Sequence, residues 1–427
     1  MRRRVAAMEP RERFVEAVRD GQIEAAARLL EEYEFLREGV NEPWFSFDTP
    51  AIVAAAASGS REMVDLLLAH GADINARSGW WAGGFGVLHH DHRELSRYLI
   101  ERGAEVDPHA AAALGMLDAL RAFALEDPGF ANRRGPDGQV PLHFASSKAV
   151  IDFLLEHGAD IDRRDVDHGS TPAQWAANDA EKCGYLVARG AKPDIFMAIL
   201  LGDEALVDKL LAEDPGCIGA RIGEGEFTSG ESDGGHIYDY VIGRTFTPLF
   251  LAAHRGHSGI AAKLASRSPL GQRFLLACGT ADAERARAML REHPDLVASL
   301  SPAEQGLLAD VAWDQRLEAV RLMLAAGFPV DARSQGFTAL HRAAMRGNAA
   351  MARLLLEHGA SLREPNDYGG NALSSCSWGS LHIRDSRGDY AEVASLLLAA
   401  GSPLPEQAAG SEPVREVLLR AGVREAD

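Results

Sequence analysis

The sequence predicts an all-α solenoid of stacked helix-turn-helix units, and three observations carry that prediction. A Leu-rich segment closing in Gly-Ala, Leu66-Leu67-Leu68-Ala69-His70-Gly71-Ala72-Asp73, recurs at 99–105, 154–160, 186–192 and 355–361, with a looser copy at 323–328. Helix openings precede several copies: Thr49-Pro50, Pro141-Leu142-His143, Thr171-Pro172, Thr247-Pro248-Leu249 and Thr338-Ala339-Leu340-His341. One such unit leaves an apolar face that only the next unit can cover, so the units must stack.

Each part of the unit has a physical reason. Thr supplies an oxygen to cap the free backbone N–H groups of the first helix, and Pro at the first helical position has no N–H to leave unpaired. The small residues that follow (Ala55-Ala56-Ala57, Ala176-Ala177, Ala252-Ala253, Ala343-Ala344) let helices approach closely. The Leu triplet fills the layer between units. The Gly after it ends the second helix in a left-handed conformation that Gly adopts at little cost.

These motifs closely resemble the ankyrin repeat family. The resemblance implies a β-turn finger followed by two antiparallel helices in each unit of about 33 residues. About twelve units are expected, starting near Phe14, Thr49, Gly86, His109, Val140, Thr171, Phe196, Thr247, Phe274, Leu307, Thr338 and Asn371. Those at 109–125, 196–211, 274–290 and 307–324 keep only the helix pair. Residues 1–47 are expected to form an N-terminal capping repeat and 405–427 a C-terminal capping helix, with repeats over 48–222 and 245–404. The units at 86–103 and 140–158 lack an Ala-Ala-x-x-Gly-His piece, so their first helix or its turn should be shortened. Asp127-Pro128-Gly129, Asp214-Pro215-Gly216 and His293-Pro294-Asp295 are expected to end helix pairs where Gly-Ala-Asp is missing. Two insertions stand out: Gly223 to Arg244 before a unit, and Ser380 to Gly388 between two helices.

The formal charge of −18, from 44 basic and 62 acidic side chains, argues against sequence-independent nucleic-acid binding, which needs clustered Lys and Arg along phosphates. Four dispersed cysteines (Cys183, Cys217, Cys278, Cys376) provide neither a disulfide framework nor zinc-finger spacing. No apolar run reaches the roughly 18 residues that a membrane span takes, and no signal-peptide core is present. A cytoplasmic protein is expected. No His-Glu-x-x-His pair, P-loop or strand-borne dinucleotide fingerprint occurs. No cofactor, metal or catalytic residue is assigned.

In ankyrin-like proteins the turn tips and first helices form a concave recognition face. The resemblance places Val53, His90, Phe144, Trp175, Leu251, Arg342 and Ser375 on it, with Asn178, His254, Met345 and Trp378 at a further position. Aromatic and Arg side chains there suit an interface anchor. Trp80-Trp81-Ala82-Gly83-Gly84-Phe85-Gly86 puts two indoles at a finger tip, either to clamp a ligand or to fill the space beside the shortened unit. His89-His90-Asp91-His92 has metal-ligand residue types, but His89 falls in a motif slot where imidazole bonds backbone. The insertion 223–244 is expected to be a β-finger. Ile237-Tyr238-Asp239-Tyr240-Val241-Ile242 alternates like a strand, which would put Tyr238 and Tyr240 on one face.

The expected function is non-enzymatic: a scaffold that binds a protein partner through Trp80, Trp81, Phe85, His90, Phe144, Trp175, Tyr238, Tyr240, His254, Arg342 and Trp378. The alternative is a small-molecule binder or unconventional enzyme. Its pocket would form where the irregular repeats around 80–92 meet the 223–244 insertion, with His89, His90, His92, Asp233, His236 and His382 as candidate polar groups.

Overall fold

The helix pairs are defined by their ends. In the computed structural model, which describes residues 10–229, 234–243 and 246–425, the side chains of Thr171, Thr247 and Thr338 accept from the backbone N–H of Gln174, Phe250 and His341. Pro141, Pro172 and Pro248 lie in the first turn of their helices, where a missing N–H is harmless. Thr49 departs from this pattern. Its hydroxyl donates to the Ser46 carbonyl at 2.7 Å, and the helix begins only at Ala51, behind Pro50.

The second helices close on Schellman motifs. The N–H of Ala72 reaches back to the Leu67 carbonyl (3.0 Å) and that of Gly71 to Leu68 (3.1 Å), with Gly71 at φ +87°. The same two bonds recur at Gly103-Ala104, Gly158-Ala159, Gly190-Ala191 and Gly359-Ala360. The recurring Ala follows from this geometry, because it turns back under the helix it ends, and Ala104, Ala191 and Ala360 are buried. Where Gly-Ala is missing, an Asp takes over. Asp127 and Asp214 are extended, and their carboxylates accept from the N–H of Gly129 and Gly216 at 2.8 Å each.

Asn side chains tie successive turns together. Asn41 donates to the Gly71 carbonyl (3.1 Å) and accepts from the Asp73 N–H (2.7 Å). Asn75 does the same toward Gly103 and Glu105, and Asn132 toward Gly158 and Asp160. The carboxamide offers one acceptor and two donors in a plane, so each Asn satisfies a free N–H and a free C=O of the next turn at once.

The chain divides into two compact units, Ala7–Phe246 and Thr247–Asp427. Each is a stack of helical hairpins, a mostly helical solenoid fold. In the first, a core of one buried row per layer runs from Phe14 through Leu30, Ile52, Leu67 and Leu99 to Ala110. In the second it runs from Phe274 through Leu308, Leu340 and Leu355 to Val423. Among the described residues, named strands are two residues long: Arg333–Ser334 pairs antiparallel with Phe337–Thr338, and Gln407–Ala408 parallel with Arg424–Glu425. No helix is long and apolar enough to cross a membrane among the described residues.

Cap spacing sets the length of each first helix. Where the two N-caps are Thr338 and Asn348, the helix Ala339–Met345 forms. In the unit at 140 the caps are Val140 and Ser147, and only Pro141–Phe144 is helical. In the unit at 171 they are Thr171 and Asp179, and only Pro172–Trp175 is helical. The unit at 86 has the shortest interval. Its residues 86–92 form turns, and its only helix is Arg93–Glu101, capped at His92.

The expected strand at 237–242 is instead the short helix Ile237–Val241. A period near 3.6 puts residues two apart on opposite sides. Tyr238 is fully buried, its hydroxyl donating to Asp194 at 2.8 Å, while Tyr240 is exposed and donates to the Gly234 carbonyl. The two therefore do not share a face. Apolar alternation over six residues cannot tell a short helix with one buried ring from a strand.

Candidate functional site

The missing first helix of the unit at 86 and the two one-turn helices at 141 and 172 border a cleft of about 750 Å³ in the Ala7–Phe246 unit. Its walls come from four successive hairpins. His89, His90, Asp91 and Arg93 precede or begin the helix Arg93–Glu101, and Ala113 and Leu114 end the helix Pro108–Leu114. Phe144 to Ala149 run from the single turn Pro141–Phe144 into the helix Lys148–Glu156. Asp179, Glu181 and Lys182 open the helix Ala180–Ala188.

One wall is held rigidly. The Nδ1 of His89 accepts from the Gly86 N–H at 2.8 Å, so its Nε2–H donates to Asp107 at 2.9 Å. Arg77 adds a bond to the same carboxylate oxygen at 2.7 Å. Burial alone pushes the Asp107 carboxyl up, but the bonds from His109 and His89 outweigh it and hold the group well below the usual carboxylate range. His90 stacks on Phe85 with ring centres 6.0 Å apart, and burial, helped by His89 and His92, lowers it to about 4. It is a neutral ring at pH 7. On the opposite wall the Lys182 amine donates to the His143 carbonyl at 2.8 Å, and burial lowers it to about 8. Lys148 pairs with Glu181 at 2.7 Å at the rim.

The cleft thus offers the Phe144 ring, the Lys182 and Arg93 cations, and the carboxylates of Asp91, Asp179 and Glu181. These groups suit a polypeptide segment with both polar and apolar side chains. Ser146 donates to the Ala112 carbonyl and Ser147 caps the Lys148–Glu156 helix, so both hydroxyls serve the backbone.

Of the residues expected from sequence, His90 and Phe144 line this cleft together with His89. Trp81 is exposed at its finger tip, while Trp80 is half-buried edge-on against Phe47, with centres 4.7 Å apart. Trp175 is half-buried: its indole donates to Asp165, and its ring lies 5.2 Å from that of His168. In the Thr247–Asp427 unit, His254 is exposed and Trp378 is exposed with its ring stacked on His382 at 4.6 Å. Arg342 is a correction. It is buried, with its guanidinium over Phe337 at 4.4 Å and near Trp313 of the preceding hairpin at 5.3 Å, so it serves packing between neighbouring hairpins. Val53, Leu251, Ser375 and Met345 are likewise buried. Tyr238 is withdrawn from any accessible face by its burial.

The polar groups proposed for a ligand pocket do not converge. His92 turns to the Ala57 carbonyl at 3.0 Å, and His236 is buried with its Nδ1 accepting from the Tyr238 N–H. His382 donates to the Trp378 carbonyl. Asp233 lies outside the described residues. No described residue of the 223–244 insertion lines the cleft. Sequence reasoning also missed Lys182, Ser146 and Ser147. The signal that could have found them was the short interval between N-caps, which predicts where the inner row of helices is indented.

A family model described as ankyrin repeats (3 copies) matches residues 108–197 and 308–403, and one described as ankyrin repeat matches 48–79. Together they take in about half of the chain, including Phe144 and Lys182. Among solved structures, the crystal structure of the human ASB11 ankyrin repeat domain is 20% identical, with 70% of this chain and 99% of that chain covered and a TM-score of 0.25. No curated protein matches the sequence.

Proposed function

The chain belongs to the ankyrin repeat family, and from that premise we propose that it is a non-catalytic scaffold that grips a protein partner in the cleft between residues 89 and 182. Repeats of this family generally serve protein–protein interaction. The observation that carries the reading is the cleft itself, which opens where the unit at 86 has no first helix and the units at 140 and 171 have first helices of one turn. A partner segment enters with an apolar side chain against Phe144 and an acidic or carbonyl group toward Lys182. Trp81, exposed on the finger of the same unit, adds contact area at low entropy cost. The net charge of −18 favours partners with basic patches, chiefly by speeding encounter.

The test places a photo-crosslinking amino acid at Ser147 in the cleft and, separately, at the exposed Glu213, in cells that make the protein. A discrete crosslinked partner from position 147, absent from 213 and lost when Lys182→Glu is added, supports the reading. Equal labelling from both positions, with Lys182→Glu folded and without effect, overturns it. A volume of 750 Å³ also lies within the range of small-ligand sites. That second reading predicts a low-molecular-weight compound that co-purifies with the native chain and protects residue 147 from labelling.

A further inference from the structure

Away from the cleft, two adjacent turn fingers bring Asp137, Asp167 and His168 together, so that one ligand atom from each lies within 4.8 Å of the others. We propose that these three side chains form a binding site for a divalent transition-metal ion of the zinc class.

The geometry is built by backbone on both sides. The Asp137 N–H donates to the Gly83 carbonyl, and its own carbonyl accepts from the N–H groups of Val166 and Asp167 at 3.0 and 3.2 Å. Asp137 is thereby fixed between the finger before it and the finger after it. Its carboxylate is buried, at 9% exposure.

His168 supplies an independent sign. Its Nδ1 lies 2.8 Å from the Gly235 carbonyl, which can only accept, so Nδ1 carries the proton. Its Nε2 faces the Asp167 carboxylate at 3.6 Å. A histidine that donates its second N–H to a backbone carbonyl is oriented as metal-ligating histidines are. Zinc bonds of about 2.0–2.2 Å to N and O need donor atoms about 3.3–3.6 Å apart in a tetrahedron, so His168 and Asp167 are already at that spacing and Asp137 lies within 4.8 Å of both. One imidazole with two carboxylates favours zinc over calcium or magnesium, which prefer oxygen alone. Three protein donors leave a fourth position for water.

The site would clamp the fingers at 133–140 and 164–171 and support Trp80 from below. It differs from the His89-His90-Asp91-His92 cluster, whose rings diverge, and no metal was assigned here from sequence.

The test is a titration of the chelator-stripped full chain with Zn²⁺, Co²⁺, Ca²⁺ and Mg²⁺, read by calorimetry and thermal melting. One Zn²⁺ per chain that raises the melting temperature is expected, with affinity at least about 10-fold weaker in Asp137→Asn and in His168→Gln. The surface variant Glu94→Gln should be unchanged. Asn tolerates the left-handed backbone of Asp137 (φ +53°), so that variant keeps the finger. Should both variants fail to fold, the Co²⁺ spectrum of the unaltered chain decides. Tetrahedral bands without thiolate charge transfer support the site. Absence of a 1:1 event, thiolate bands, unaltered affinity in the folded variants, or preference for Ca²⁺ or Mg²⁺ overturns it.

Discussion

At the scale of single residues, the same motif slot is filled by chemically different side chains that do the same work. His143, Gln174 and His341 all sit third in their helices. The His143 ring accepts from the Val140 N–H and lies 3.2 Å from the Ser170 carbonyl, while Gln174 accepts from the Thr171 N–H and donates to Asp194. Burial lowers His143 to about 3, with Lys182 and His109 pushing the same way and the bonds to Ser170 and Val140 opposing. The unfolded chain titrates this group near 6.5, so it takes up a proton on unfolding at any pH between those values. Its contribution is therefore complete above about pH 6.5 and is lost as the pH falls toward 3, by roughly 1.4 kcal/mol per pH unit. His143→Gln, which copies the neighbouring repeat, should make urea midpoints less steep with pH by that amount between pH 6.5 and 4.5. Parallel pH profiles for the two proteins would show that the ring is not held neutral.

At the scale of elements, close helix contact decides the sign of a substitution. A helical glycine replaced by alanine ordinarily gains about 0.5–1 kcal/mol. Gly379, inside the helix Ala372–His382, is different, because a Cβ there would stand 2.2 Å from the carbonyl oxygen of Met345 in the neighbouring helix. Backbone cannot swing away as a side chain can. Gly379→Ala should therefore lose about 1–3 kcal/mol in denaturant unfolding, the range for an overpacked core. A gain would mean that the two helices separate freely. The Ser380 to Gly388 insertion bears on the same contact. Asp385 accepts from Gln315 at 2.7 Å and pairs with Arg346 at 2.9 Å, which fastens the added loop to earlier hairpins of its unit.

At the scale of the whole molecule, the chain is two bodies of stacked hairpins, and the cleft and the finger cluster both belong to Ala7–Phe246. Each hairpin contacts mainly its neighbours, so stability adds up along an array instead of depending on the far end. Residues 1–246 expressed alone should keep a helical circular dichroism spectrum and one cooperative melt. A fragment that is unfolded or melts without a transition would show that the second body is needed to hold the first. A folded fragment that retains the Ser147 crosslink would also assign partner binding to this half.

What the sequence by itself determined was local. Thr and Asp caps, Pro in first turns and Gly-Ala after a Leu triplet act within five or six residues, so they announced the hairpins, and with them the stacked α fold, before any contact was seen. Even the one-turn helix at 141–144 was legible, because the distance between two caps is a property of the chain. Tertiary structure decided what lies against what. Arg342 read as an accessible anchor from its concave-face position and Tyr238 from the face of an expected β-finger, yet Phe337 and Trp313 enclose the first and Asp194 captures the second. Asp137 and His168 are about one repeat apart in the chain and meet only because fingers stack side by side. Capping and turn chemistry are written in neighbouring residues, whereas burial and the meeting of distant side chains depend on the surface the next repeat presents.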